Sequence, residues 1–270
     1  MPPIKEWEEL TIQDNFLFQK VMQNKRLCQR LIQKLLHIKV KDITYPAAEK
    51  SIVIGAVSKS VRLDLYVETD KGVILDIEMQ VTAGRDGMLP HRMRYYQAMI
   101  DLEVLGKGQE YIDLKPSYVI FICTFDLFDL GQKVYTFTNR CHEENLELAD
   151  GTTKMFLNAK GTKGEVDEDI EKFLAYVDGK AAEGKFTQDI AAEVERVKLH
   201  KETRLEYMTF LMELKEQRRE GREEGRAEGE AKTMVKALRN LMKSMGLSKE
   251  AAMDTLGVEE ELRAKIAPLL

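Results

Sequence analysis

Asp76, Glu78 and Gln80 stand at alternate positions of one short run, "ILDIEMQ", with Leu75, Ile77 and Met79 between them. A further acid, Asp64, interrupts the preceding run, "VRLDLYVE". Side chains alternate across a strand, so the polar set shares one face and the apolar set the other. The apolar set is expected to face the core. Burying the acids without partners would be costly, because a carboxylate loses its hydration. They must face water, pair with cations, or bind metal. Carboxylates drawn together repel, and a hard divalent cation such as Mg²⁺ relieves that repulsion by taking oxygen ligands. Held by two carboxylates and a strand carbonyl, such an ion can activate water and stabilise charge developing on a phosphate. The plain alternative is a half-exposed strand whose polar residues point outward and pair with Arg62 or Lys71. Spacing alone does not separate the two.

The elements that must position these residues can be read from their neighbours. The two runs flank Asp70-Lys71-Gly72, which predicts a hairpin; Asp64 lies across it from the second strand. Upstream, "TIQDNFLFQKVMQNKRLCQRLIQKLL" has helical periodicity from Thr11 to about Leu36. "KDITYP" and "SIVIGAVS" carry strand signals. Downstream, Pro90 is placed to open a helix, "HRMRYYQAMIDLEVL", that ends near Gly106. "PSYVIFICTFDLF" follows, a near-continuous apolar run of the kind a strand buried on both faces requires. "VYTFTNRC" and "TTKMFLNAK" read as further strands. This order of elements fits a mixed α/β sheet with helices on its faces.

After Glu165 the composition changes to charged helical segments, "DEDIEKFLAYVDG" and "FTQDIAAEVERVKLHKETRLEYMTFLMELKEQ". In "EGREEGRAEGEAK", Gly221, Gly225 and Gly229 recur every four residues, each preceded by Glu. Each Gly costs a helix about 1 kcal/mol relative to Ala. The period places all three on one stripe, where a partner backbone could approach; the other reading is a frayed, solvated connector. The tail reads as a helix, "KTMVKALRNLMKSMG", then a second one with Ser248 as N-cap and Gly257 closing it.

With 270 residues, 44% apolar and 32% charged, the chain can hold one sizeable domain and a solvated helical appendage. A net charge of −5 argues against a nonspecific polycation, though a local basic surface can coexist with it. Three cysteines and four histidines are scattered, without CxxC or HxxxH, which argues against structural zinc and suits a reducing compartment. No window has the apolar length of a membrane span, and "MPPIKEWEEL" has no apolar signal core. A cytoplasmic protein is the expectation. "GKGQEY" lacks the spacing of a phosphate-binding loop, and no small-molecule cofactor is expected.

Asp64 followed by Glu78-Met79-Gln80 resembles the metal-binding motif of the PD-(D/E)XK nucleases: an Asp on one strand, then (D/E)-x-K on the next. A longer ordered set is similar to the Rpn family of recombination-promoting nucleases, also described as PD-(D/E)XK family transposases. It comprises "DNFLFQKVM" (14–22), "RLDLYVE" (62–68), "DIEMQ" (76–80), "RMRYYQAMI" (92–100), "GQEYIDLKPSYVIFIC" (108–123), "YTFTNRC" (135–141) and "DGTTKMFLNAKG" (150–161). The Gly-spaced segment and "GLSKEAAMDTLGV" also resemble that family's tails. The resemblance implies a restriction-endonuclease-like core over residues 1–164, a charged helical extension over 165–232, and a small helical tail over 233–270. It implies that Asp64 and Glu78 ligate Mg²⁺ (or Mn²⁺ in its place), with the Met79 carbonyl as a third ligand.

Gln80 occupies the place of the superfamily's Lys. Lys brings a positive charge that can orient the attacking water or steady the phosphate; Gln orients by hydrogen bonds alone. A cation from elsewhere would have to substitute, and Arg92 and Arg94 on the following helix are the nearest in sequence. Arg92 and Tyr96 are candidates for contact with phosphate or with the acids, and Asp76 for support of the site. Tyr95 is expected to pack on the sheet and His91 to lie on the surface. Asp14 is expected to stabilise the first turn of its helix, where negative charge is favoured.

Catalytically, these residues suggest a metal-dependent DNA endonuclease hydrolysing phosphodiester bonds, working as a homodimer, with a role in recombination or mobile elements implied by the resemblance. Two rivals remain open at this point. One is a nuclease-fold module that binds nucleic acid or a partner after catalysis weakened; the other is an assembly protein that pairs through the Gly-spaced helix.

Overall fold

The computed structural model describes residues 5–45, 50–52, 61–84 and 87–270. The expected "SIVIGAVS" strand lies outside these from Val53 onward. In chain order the helices and strands are α1 (Asn15–Met22), α2 (Lys25–Leu36), β1 (Ile43–Thr44), β2 (Lys50–Ile52), β3 (Val61–Leu63), β4 (Tyr66–Thr69) and β5 (Ile74–Gln80). Then follow α3 (Met88–Val104), β6 (Ser117–Cys123), β7 (Val134–Phe137), β8 (Thr152–Asn158), α4 (Glu168–Val177) and α5 (Gly184–Leu199). The chain closes with α6 (Lys201–Met245), α7 (Lys249–Thr255) and α8 (Glu260–Ile266). A first compact unit ends at Arg204; a second spans Leu205–Leu270.

The first unit is built on a six-stranded sheet of order β1-β4-β5-β6-β8-β7. Its centre, β5-β6-β8, is parallel, and β4 and β7 run antiparallel to their neighbours. The hairpin expected at Asp70-Lys71-Gly72 joins β4 to β5, with Gly72 at a φ of +73° that an L side chain rarely adopts. Parallel β5 and β6 need a crossover, and α3 supplies it, with Pro90 inside its first turn. The helical pattern from Thr11 is two helices instead of one. The first ends at Met22 with Gln23 as its C-cap, and Asn24 caps the second, its side chain accepting from the Leu27 amide.

Both faces of the sheet are covered. On one face, Leu89, Met93, Tyr96, Met99 and Ile100 of α3 pack against Val119, Phe121, Cys123 and Phe156. On the other, α1 packs on β5, and α4 and α5 pack with α1 and α2. Asp189 of α5 accepts from Arg30 of α2 at 2.7 Å and pairs with Lys185 at 2.8 Å. Hydrogen bonds from Lys185, then Arg30, hold the Asp189 carboxyl below the usual range. A lowered folded pKa contributes stability above the unfolded pKa, and that contribution is lost as pH falls through the folded one. Asp189→Asn is therefore expected to lower the urea midpoint at pH 7, with the gap to wild type closing on acidification below the usual carboxylate range.

In the second unit, α6 is one continuous helix through Gly221, Gly225 and Gly229, rather than a frayed connector followed by a separate helix. Among the described residues, a Cβ placed on any of these three glycines would meet no atom within 4 Å beyond the adjoining helix backbone, so those residues do not supply the close approach their spacing permits. Ser248 caps α7 by accepting from the Ala251 amide, as expected, and Gly257 follows it at a φ of +61°. Val235, Leu238, Ala252, Met253, Val258 and Ile266 form this unit's small core.

Candidate active site

The alternation of β5 puts Asp76, Glu78 and Gln80 on the face covered by α3. Their partners in β6 are Val119, Phe121 and Cys123, and these pack against that helix. The alternative of a half-exposed strand is ruled out: Asp76 and Glu78 are 0% exposed and Gln80 is 6% exposed. The apolar packing of α3 explains how. A fully buried large apolar side chain contributes about 1.5–3 kcal/mol, and several of them hold α3 over the acids, offsetting the cost of burying them.

Asp64 comes to the same place from the neighbouring strand. Tyr66 pairs with Asp76 and Val67 with Leu75 in the β4–β5 register. The Ile77 amide donates to the Leu65 carbonyl at 3.0 Å. Continuing that register puts Asp64 opposite Glu78, at the bend between β3 and β4. Like charges follow: burial first, then the Asp64 charge, hold the Asp76 carboxyl well above the ordinary carboxylate range. Burial, then Asp76, then Asp64, do the same to Glu78, against the opposing pull of Arg92 and the Asp64 backbone.

Arg92 reaches down from α3 and joins the group. Its Nε donates to the Tyr96 hydroxyl at 2.7 Å, its Nη1 to Gln80 Oε1 at 3.1 Å, and its Nη2 to Glu78 Oε2. Gln80 Nε2 donates to the same Glu78 oxygen at 2.9 Å. The guanidinium lies 4.9 Å from the Tyr96 ring centre and 5.4 Å from that of Phe121. Three donors in a fixed fork serve three acceptors here, which a Lys ammonium on a single-point tether could not reproduce. A positive charge thus stands beside Gln80, where that side chain brings none. The group meets solvent at Arg92, whose side chain is 30% exposed, and at half-buried Asp64.

Met79 buries its side chain on the opposite face. The backbone of odd-numbered β5 residues faces β4, as the Ile77–Leu65 bond shows, while Gln80 accepts from Thr124 on the β6 side. The Met79 carbonyl therefore points toward the Asp64 side of β5. Oxygen donors of this kind suit a hard divalent cation. Both oxygens of Asp76 and Oε1 of Glu78 are buried without a hydrogen-bond partner, an arrangement that fits a cation better than an apolar core. Among the described residues, no three His, Cys, Asp or Glu side chains converge tightly enough to enclose one ion.

The other expected residues fall elsewhere. Arg94 is exposed. Tyr95 is 37% exposed instead of packed on the sheet, while Tyr96 packs there, edge-on to Phe121. His91 is at the surface, its Nδ1 2.6 Å from the Gly87 carbonyl. Asp14 accepts from the Thr11 amide at 2.8 Å and from Lys5 at 2.9 Å, ordering the turn before α1. Tyr66 is the residue that the sequence reading passed over. It is buried on the acid face opposite Asp76, and its hydroxyl pKa is pushed up to about 12, by burial first. The alternation of Asp64, Tyr66 and Glu68 across the hairpin was the signal available.

Comparison with known proteins yields one result. A family model described as PD-(D/E)XK nuclease family transposase matches residues 15–256. No curated protein and no solved structure gives a match.

Proposed function

The chain belongs to the PD-(D/E)XK nuclease family transposases, and from that premise we propose that it is a divalent-metal-dependent DNA endonuclease, hydrolysing phosphodiester bonds at the Asp64–Glu78 pair. One observation carries the reading. Glu78 is wholly buried, fixed through Oε2 by Arg92 and Gln80, and keeps Oε1 without a hydrogen-bond partner. A side chain locked by second contacts and left with one open oxygen is pre-set to receive a ligand.

In this proposal Asp64, Glu78 and the Met79 carbonyl hold Mg²⁺, with Mn²⁺ an effective substitute. The ion supplies a Lewis acid and lowers the pKa of water. Gln80 orients water through its amide. Arg92 keeps Glu78 in position and presents positive charge where a phosphate approaches, replacing the charge of the superfamily's Lys. Tyr96 holds Arg92 in place. The covering helix excludes bulk water, which strengthens these interactions. Family membership supports nucleic acid as the substrate class and a place in recombination or mobile-element movement. A homodimer belongs to the same proposal, since cutting both strands calls for two copies of the site; light scattering on the full chain reads its mass.

Incubating supercoiled DNA with the purified chain and Mg²⁺ tests the activity. Nicked or linear product is expected with Mg²⁺ or Mn²⁺ and none with chelator; product in chelator would refute the metal requirement. DNA binding by so acidic a chain must rest on local phosphate contacts. Affinity is expected to fall by about a hundredfold or more between 50 and 200 mM salt if several phosphates are neutralised. Equal affinity at both salt concentrations, read by fluorescence anisotropy, would count against it.

A further inference from the structure

Asp76 is not among the ligands proposed above, yet it lies at the centre of the buried face. It leaves β5 on the same side as Glu78, one strand repeat earlier, roughly 6.5–7 Å along the chain. It is 0% exposed, and neither of its oxygens has a hydrogen-bond partner. Two acids elsewhere in the chain, one buried and one half-buried, are satisfied: Glu193 by Arg196, and Asp189 by Arg30. A buried carboxyl without a partner either gives up its charge by taking a proton or gains a cation. A ligand of positive character is what this position lacks.

Charge balance points the same way. Among the described residues, Arg92 is the cationic side chain that acts on Asp64, Asp76 and Glu78. A divalent cation together with Arg92 matches three carboxylates. Without Asp76, the same buried place would carry an excess positive charge, which is costly away from water. Among the described residues no three His, Cys, Asp or Glu side chains are grouped as a ligand set for one ion, so Asp76 is assigned a place outside the inner shell. Mg²⁺ keeps several of its waters when bound, and a carboxylate beside them can accept their hydrogen bonds without touching the ion.

We propose that Asp76 is the outer-sphere carboxylate of the cation site: its oxygens accept hydrogen bonds from water in the ion's hydration shell. The proposal rests on the reading of Asp64 and Glu78 as the cation-holding pair. It assigns Asp76 as a positioning residue, orienting water without touching the ion.

The test uses the full chain as wild type, Asp76→Asn and Glu78→Gln, with MgCl₂ titrated by calorimetry and melting followed with and without MgCl₂. Asp76→Asn keeps the shape and removes the charge. It is expected to bind Mg²⁺ about tenfold more weakly, to melt no lower than wild type without Mg²⁺, and to gain less in melting temperature when Mg²⁺ is added. Unchanged Mg²⁺ affinity in Asp76→Asn would overturn the proposal. So would a lower melting temperature in the absence of Mg²⁺, the mark of a merely structural residue. Complete loss of binding would put Asp76 in the inner shell and overturn the outer-sphere assignment. Glu78→Gln is expected to abolish binding; wild-type affinity in that variant would remove the cation pair itself, a failure separable from that of Asp76.

Discussion

Glu78→Ala is expected to abolish DNA cleavage while leaving the chain folded. Glu78 is fixed by Gln80 at 2.9 Å and by Arg92. An ion that it helps to hold supplies several kcal/mol of transition-state stabilisation, and each 1.36 kcal/mol is tenfold, so the loss should reach about a thousandfold. Removing the carboxylate also removes a buried charge repelled by Asp76 and Asp64, which tempers the destabilisation from stranding Arg92. Glu78→Gln serves as the shape-preserving partner variant and should be equally inactive. Plasmid cleavage at matched concentrations, beside circular dichroism of each variant, gives the reading. Equal cleavage by wild type and Glu78→Ala would discredit this site for the whole proposal.

Arg92→Met is expected to cost both stability and activity, the second largest effect. The side chain donates to Tyr96, Gln80 and Glu78 at once and lies over two aromatic rings. Met retains much of the apolar contact but none of the donors or charge. Breaking a buried ion pair by removing one partner costs about 3–5 kcal/mol; with 30% of the Arg92 side chain exposed, the low end, about 3 kcal/mol, applies. Urea unfolding without divalent ions measures it. Arg92→Lys should recover the charge but not the fork, restoring part of the stability and little of the cleavage. An unchanged urea midpoint in Arg92→Met would show that Glu78 is held by other means, and full cleavage would remove Arg92 as the substitute for the missing Lys.

Much of the frame was legible in local pattern. The hairpin at Asp70-Lys71-Gly72, the buried run of β6, and β8 each follow from turn chemistry or residue alternation that involves few residues. The break at Asn24 was legible in principle, since Asn is a strong cap, but apolar periodicity runs on through it and masked the boundary. The extent of α6 was not legible. Three glycines argue locally against a helix, and the flanking helix-forming residues with their spaced ion pairs outweigh them.

The site divides along the same line. A strand has a side-chain period of two, so the sequence alone determined that Asp76, Glu78 and Gln80 share a face, and that Asp64 could join them in register. It left open whether that face meets water. Only the tertiary structure decided that: α3, joined to β5 by a short connection, lays its apolar residues over the acids and turns a surface pattern into a buried one. The same packing brings Arg92 to Glu78 and Gln80 across the sequence. Burial and pairing of this kind depend on contacts between distant parts of the chain, and no local spacing encodes them.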